Sequence, residues 1–378
     1  MLNKKIAQAS LIIALFPIEN LFALKLYPPY RSDRTRESYI STGKNGGISA
    51  AHPLASKAGI NVLKKGGNAI DALIASSFVI SVVRPHSTGL GGGGFAMFLN
   101  SKNKNIEAYD FRERAPFKAS RDMYLDDKGL PIDSKYKGQL VKNASVNGYL
   151  SVATPGLVKG LLDLHKKYGT MKLKTLLEPS IKIANNGFPI YKSLANTIAR
   201  RKDTLWIFEA NRKVFFKNKT PLKEGDILIQ KDLAKTIALI SKKGSDVFYK
   251  GEIAEAISSE MKKHKGLLRM QDFKSYRTRV REPIIGKYKG YEIFSMPPPS
   301  SGGVHIVEML NILNDKKITE YEPQSLDYMN ILTETMKHAY ADRAKYLGDP
   351  DFVKVPQDGI TSKKYSKEIA KKITLGID

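Results

Sequence analysis

Residues 88–116 read TGLGGGGFAMFLNSKNKNIEAYDFRERAP. Five of the six residues from Gly89 to Gly94 are glycine. Such runs occur where backbone must approach something closely or take φ > 0. Gly89, Gly91 and Gly94 formally satisfy G-x-G-x-x-G. A dinucleotide site, however, needs strand, glycines and helix in that order. Here an apolar helical segment precedes the glycines, and the apolar segment 95–99 follows them as a strand. The order helix, glycines, strand rejects the dinucleotide reading and leaves a tight turn in a packed core. The stretch closes on Asp110, Arg112, Glu113 and Arg114. Strand alternation would send Arg112 and Arg114 the same way. Two readings are open. One arginine holds the carboxylate of a small anionic molecule through paired hydrogen bonds, while the other pairs with Glu113 or Asp110. Alternatively, all four form a structural ion-pair cluster.

Working outward, His52-Pro53 opens a helix that Gly66-Gly67 stops. A short strand is expected at 48–51. Asn68 can cap the next helix, over 69–83, which is apolar on nearly every face and therefore buried on several sides. Residues 126–147 read as loop. Helices are expected over 157–167, 173–186, 190–210, 232–243, 252–263, 304–313, 326–347 and 362–373, with paired strands at 280–285 and 291–294. Three prolines lead from Met296 into Ser300, Ser301, Gly302 and Gly303 ahead of a helix start, which suits either an anion or a rigid turn. Many helices and few strands in mixed order indicate an α+β or layered α/β protein.

The 378 residues include no cysteine, so disulfides, thiolate nucleophiles and Cys-zinc sites are excluded. None of the six histidines sits beside another in a local zinc motif such as H-E-x-x-H, and no metal is expected. Lys+Arg outnumber Asp+Glu by 62 to 37, a net +25 that attracts anions. The lysines are spread along the chain rather than gathered in one stripe, which argues against nucleic acid as partner. The densest basic run, over 192–219, is interleaved with Trp206, Phe208, Phe215 and Phe216. Lys4 and Lys5 precede a mostly apolar run over 6–16, with Ala23 at a plausible cleavage point. This is an export signal over 1–23, and the run is too short to span a bilayer. A serine-hydrolase nucleophile elbow, G-x-S-x-G, does not occur, and Ser300-Ser301 is a weak substitute.

These residues converge on a family. His52-Pro-Leu-Ala-Ser56, Gly66-Gly-Asn-Ala-Ile-Asp71, Gly89 to Phe95, Asp110-Phe-Arg-Glu-Arg-Ala-Pro116, Thr154-Pro-Gly156, Pro297 to Gly303, Ala339-Tyr-Ala-Asp-Arg343 and Leu347-Gly-Asp-Pro-Asp-Phe352 occur in order over nearly the whole mature chain. The chain thereby resembles the large subunit of a gamma-glutamyltransferase, also called gamma-glutamyl transpeptidase or glutathione hydrolase. The resemblance implies an N-terminal-nucleophile hydrolase with an αββα sandwich, exported as a precursor that cuts itself into a large and a small subunit. The cut frees a threonine whose hydroxyl attacks the γ-glutamyl amide of glutathione or a related compound, and water or an acceptor amino acid takes the acyl group. In the family the arginine of the D-F-R-E motif holds the substrate's α-carboxylate, a role that falls on Arg112. No cofactor is implied. The family's nucleophile lies in a Thr-Thr-His context, and no Thr-Thr pair occurs here. The expectation is therefore a large-subunit region over 24–378 that ends before the nucleophilic threonine, inactive alone, with the small subunit as partner. The alternatives are a cephalosporin-acylase or poly-γ-glutamate-processing relative, and a truncated non-catalytic remnant or basic anion-binding protein.

Overall fold

The computed structural model describes residues 41–375, so the expected signal over 1–23 lies outside the described residues. The chain divides into two compact units: residues 41–93 with Arg112–Arg277, and Gly94–Phe111 with residues 278–375. The opening stretch thus belongs to both. Its glycines up to Gly93 close the first segment of one unit, and Arg112 begins that unit's second segment.

The first unit is mostly helical. Helix α1 (Pro53–Lys64) starts with His52 as N-cap, its Nδ1 accepting from the Leu54 N–H at 3.2 Å. Helix α2 (Ala69–Val83) opens on a capping box. Asn68 accepts from the Asp71 N–H, and the Asp71 carboxylate accepts from the Asn68 N–H, each at 3.0 Å. Helix α2 is the centre of this unit's core. Ala72, Ile74, Ala75, Phe78, Val79, Val82 and Val83 are all fully buried. Such burial requires apolar residues around the whole circumference, as the composition of 69–83 predicts. Packed with it in this unit are α3 (Leu157–Tyr168) and α4 (Leu173–Asn186), while α5 (Lys231–Lys243) packs on α4. Helix α6 (Glu252–Lys263) follows.

Three expectations for this unit are corrected. Residues 48–50 form no strand, because Ile48 lays its side chain on Gly59 of α1 instead. Part of 126–147 is ordered as a ribbon, Ser134–Tyr136 paired with Gln139–Val141. Its two-residue turn, Lys137-Gly138, has φ +47° and +82°, the left-handed pair that matches strand twist. The helix over 190–210 is three short pieces, Lys192–Arg200, Lys202–Ile207 and Glu209–Phe215.

The second unit carries a three-stranded antiparallel sheet: β1 (Phe95–Leu99), β2 (Ile106–Asp110) and β3 (Arg279–Arg281), with β2 central. A separate ribbon pairs β4 (Ile284–Tyr288) with β5 (Tyr291–Ser295). The expected single strand over 280–285 is therefore two strands in two sheets. Pro283 explains the break, since it has no N–H to donate to a ladder. Helix α7 (Gly302–Asp315) packs on β4, with Ile284, Val304, Val307 and Ile360 as one core cluster. Gly286 is needed there, because a Cβ would lie 2.7 Å from Val307. Helices α8 (Leu326–Tyr346) and α9 (Lys363–Lys372) pack on α7, the latter through Ile312, Ile369, Ala370 and Ile373. Both units together are mixed α/β, as expected. Among the described residues no helix is long and apolar enough to cross a membrane.

Candidate substrate-binding site

Arg112 follows a ladder that has just ended. Strand β2 stops at Asp110, and Phe111 and Gly94 then exchange backbone hydrogen bonds at 3.1 and 3.2 Å. A Cβ on Gly94 would lie 2.8 Å from the Phe111 ring, so that glycine is sterically required. Arg112 and Arg114 are therefore not strand residues, and the expected alternation does not orient them. The backbone is held by other means. Arg114 and Thr154 exchange hydrogen bonds at 3.1 and 2.8 Å. The Tyr276 hydroxyl donates to the Arg112 carbonyl at 2.8 Å.

The support under Arg112 is buried and aromatic. Tyr276 stacks on Tyr249, centroids 5.6 Å apart. The Tyr249 hydroxyl donates to the Pro155 carbonyl at 2.9 Å and accepts from the Lys159 N–H at 3.1 Å. Burial pushes the Tyr249 phenol far above its ordinary range, so it stays protonated and keeps donating. Pro155 leads into α3, and the N–H groups of Gly156 and Leu157 both donate to the Gly92 carbonyl at 2.9 Å. The glycine run is thus a turn whose carbonyl caps the start of a helix, half-exposed rather than deep in the core. None of Gly89 to Gly94 takes a positive φ. Glu113 is exposed, and its Oε1 lies 3.5 Å from where a Gly92 Cβ would be. The Arg112 side chain is exposed on a rigid backbone. That combination suits a guanidinium that binds a ligand carboxylate.

Asp110 has a partner that sequence spacing could not reveal. In the second unit the register sets β2 Ala108 opposite β3 Arg281. The diagonal Asp110 accepts from Arg281 Nε at 2.8 Å. Arg281 also bonds Asp351 at 3.1 Å and lies 3.9 Å from Asp349. Burial alone would lower the Arg281 pKa, but hydrogen bonds to Asp110 and Asp351 outweigh it and the net shift is upward. The Asp349-Pro-Asp351 turn is therefore one side of a carboxylate–arginine clamp.

Ser301 accepts from Arg343 Nε at 3.2 Å, and Ser300 Oγ accepts from the Gly302 N–H at 3.3 Å. Both serines are structural at the start of α7. One turn on, buried His305 Nδ1 meets Glu308 Oε2 at 3.0 Å. Burial raises the Glu308 pKa, reinforced by the nearby Asp342 carboxylate. Burial and Arg343 lower that of His305. Both shifts favour a neutral pair in which the acid donates to the imidazole. Sequence reading missed this pair, whose only signal was a polar i, i+3 pair inside an apolar helix. Among the described residues no group of three or more His, Asp or Glu side chains could hold a metal ion.

A family model described as gamma-glutamyltranspeptidase matches residues 55–376. The Escherichia coli (strain K12) glutathione hydrolase proenzyme is 45% identical over 333 residues, 88% of this chain and 56% of that protein. The Bacillus subtilis (strain 168) glutathione hydrolase proenzyme is 44% identical over 348 residues, 92% of this chain and 57% of that protein. The chain therefore spans a little over half the length of these curated relatives. The crystal structure of Helicobacter pylori gamma-glutamyltranspeptidase superposes with a TM-score of 0.84 at 41% identity, covering 89% of this chain and 94% of that one.

Proposed function

Because this chain belongs to the gamma-glutamyltranspeptidase family, we propose that it forms the large-subunit part of an enzyme that cleaves the γ-glutamyl bond of glutathione. The acyl group passes to water or an acceptor amino acid. Arg112 binds the α-carboxylate of the γ-glutamyl donor. A threonine of a small subunit from the same precursor is the nucleophile, and its own α-amine is the base. The precursor is exported to the periplasm or beyond.

The observation that carries the site is the fixed main chain of Arg112. Tyr276 and the Arg114–Thr154 bridge hold the backbone while the side chain remains exposed. Two further observations support a small-subunit partner. The chain covers 94% of the solved H. pylori chain but only 56% of the E. coli proenzyme, as a large-subunit region would. In the second unit, Met97 and Leu99 on one face of β1, and the cross-strand pair Ile285–Phe294 of the β4–β5 ribbon, are exposed apolar residues. Such surface is characteristic of an interface.

The chain should be co-expressed with the small-subunit segment of a relative and assayed with γ-glutamyl-p-nitroanilide. Release of p-nitroaniline by the pair, raised by an acceptor dipeptide and absent from either part alone, supports the reading. A stable complex with no release at any acceptor concentration contradicts it.

A further inference from the structure

The first unit holds a cavity of about 650 Å³, whose lining does not include Arg112. Its size lies within the ordinary range for small-molecule sites. It is walled by the 134–141 ribbon, by Phe208 at the break between two short helices, and by the chain leaving α6. Aromatic rings form one side. Tyr149 lies nearly parallel to Tyr136, 16° and 5.9 Å between centroids, and stacks on His264 at 4.7 Å. Phe208 packs against Tyr136 at 5.1 Å.

Two glycines permit this close packing. Gly148 takes φ +88°, with Ser134 Oγ 3.2 Å from where a Cβ would sit. At Gly266 a Cβ would lie 2.9 Å from the Tyr149 carbonyl. The His264 side chain is 9% exposed. Its Nε2 is buried with Glu260 Oε2 3.4 Å away, outside hydrogen-bond geometry.

The rim is cationic. Lys135, Lys137, Lys263 and Lys265 line the cavity against one carboxylate, Asp133. An Asp133 oxygen is already taken by the Asn143 N–H at 2.8 Å. Lys137 is committed to Glu209 at 3.1 Å, and Lys263 lies 3.5 Å from Glu260. Lys135 and Lys265 have no carboxylate partner among the described residues. Lys265 is held at φ +58° in the turn that ends α6.

We propose that this cavity binds a small planar aromatic anion: a ring that packs on the Tyr136–Tyr149–Phe208 side, with a phosphate or carboxylate held by Lys135 and Lys265. Ring stacking is sequence-tolerant and needs only a π-face, while the lysines select charge. The basic run over 192–219 with its interleaved aromatics contributes one ring, Phe208, to a local, partly open concavity rather than an extended stripe. A small molecule therefore fits better than a nucleic-acid strand.

The test is calorimetric titration of the full chain with adenosine 5′-monophosphate. The expected result is saturable one-site binding that weakens with salt, and that is about tenfold weaker for adenosine and for inorganic phosphate alone. The double variant Lys135→Glu, Lys265→Glu, both at exposed positions, should weaken the nucleotide by about tenfold or more. Phe208→Leu keeps apolar volume but removes a ring face, and should weaken adenosine and its monophosphate alike. Non-saturable binding, or binding unchanged in the folded double variant, overturns the proposal. So does tighter binding of a single-stranded oligonucleotide than of the mononucleotide, with a steep salt dependence.

Discussion

At residue scale, His52 shows how one side chain couples packing to pH. Its Nδ1 accepts the N-cap bond from Leu54, which only a neutral imidazole can do. The ring is buried against Phe188 and Tyr191. Burial, with Arg84 adding repulsion, lowers its pKa from 6.5 to about 4. The unfolded chain therefore takes up a proton below pH 6.5 that folded His52 refuses until about pH 4. Stability from this residue is complete above that window and is lost as pH falls through it. His86, lowered by burial and by the same arginine, adds in the same direction. Replacing His52→Asn keeps a capping side chain but removes the titration. Urea unfolding between pH 7 and 4 should then show an acid loss smaller by about 2–3 kcal/mol than in the parent. An equal loss in both would contradict the assignment.

At element scale, the start of α2 rests on one carboxylate. Asp71 is fully buried. It accepts from the Asn68 N–H, from the Thr170 N–H at 3.0 Å, from the Thr170 hydroxyl and from the Met171 N–H at 3.3 Å. Burial by itself would raise its pKa, yet the Thr170 hydroxyl and these backbone donors together hold it below the usual carboxylate value. Asp71 thus stabilises above its unfolded pKa, and that contribution is lost as pH falls through the folded value. Asp71→Ala would strand several buried donors at once and should cost about 3–5 kcal/mol, read as a shift in the urea midpoint. A cost under about 1 kcal/mol would mean that water replaces the carboxylate.

The same scale shows what sequence could reveal. The bounds of α2 were legible because caps and an all-round apolar composition agree on 69–83. The order helix, glycines, strand was legible too, and it correctly rejected a nucleotide fold. The two-residue turn at Lys137-Gly138 was not, because lysine seldom takes positive φ. A single strand over 280–285 is inconsistent with Pro283, because a proline cannot donate inside a ladder. The Asp110–Arg281 clamp was out of reach, because its partners are 171 residues apart. The position of Arg112 emerged from its motif, whereas the Tyr276 and Tyr249 support beneath it depends on long-range packing alone.

At the scale of the whole molecule, family membership meets an exposed guanidinium whose main chain is hydrogen-bonded by Tyr276. The central claim is that Arg112 recognises the α-carboxylate of the donor, which can be isolated by varying protein and substrate together. With the small subunit supplied, kcat/KM should be measured for γ-glutamyl-p-nitroanilide and for 4-aminobutanoyl-p-nitroanilide, which lacks that carboxylate. Arg112→Ala should reduce kcat/KM for the first by the equivalent of about 2–4 kcal/mol and leave the second, already poor, nearly unchanged. Equal losses on both substrates, or none on the first, would contradict the claim.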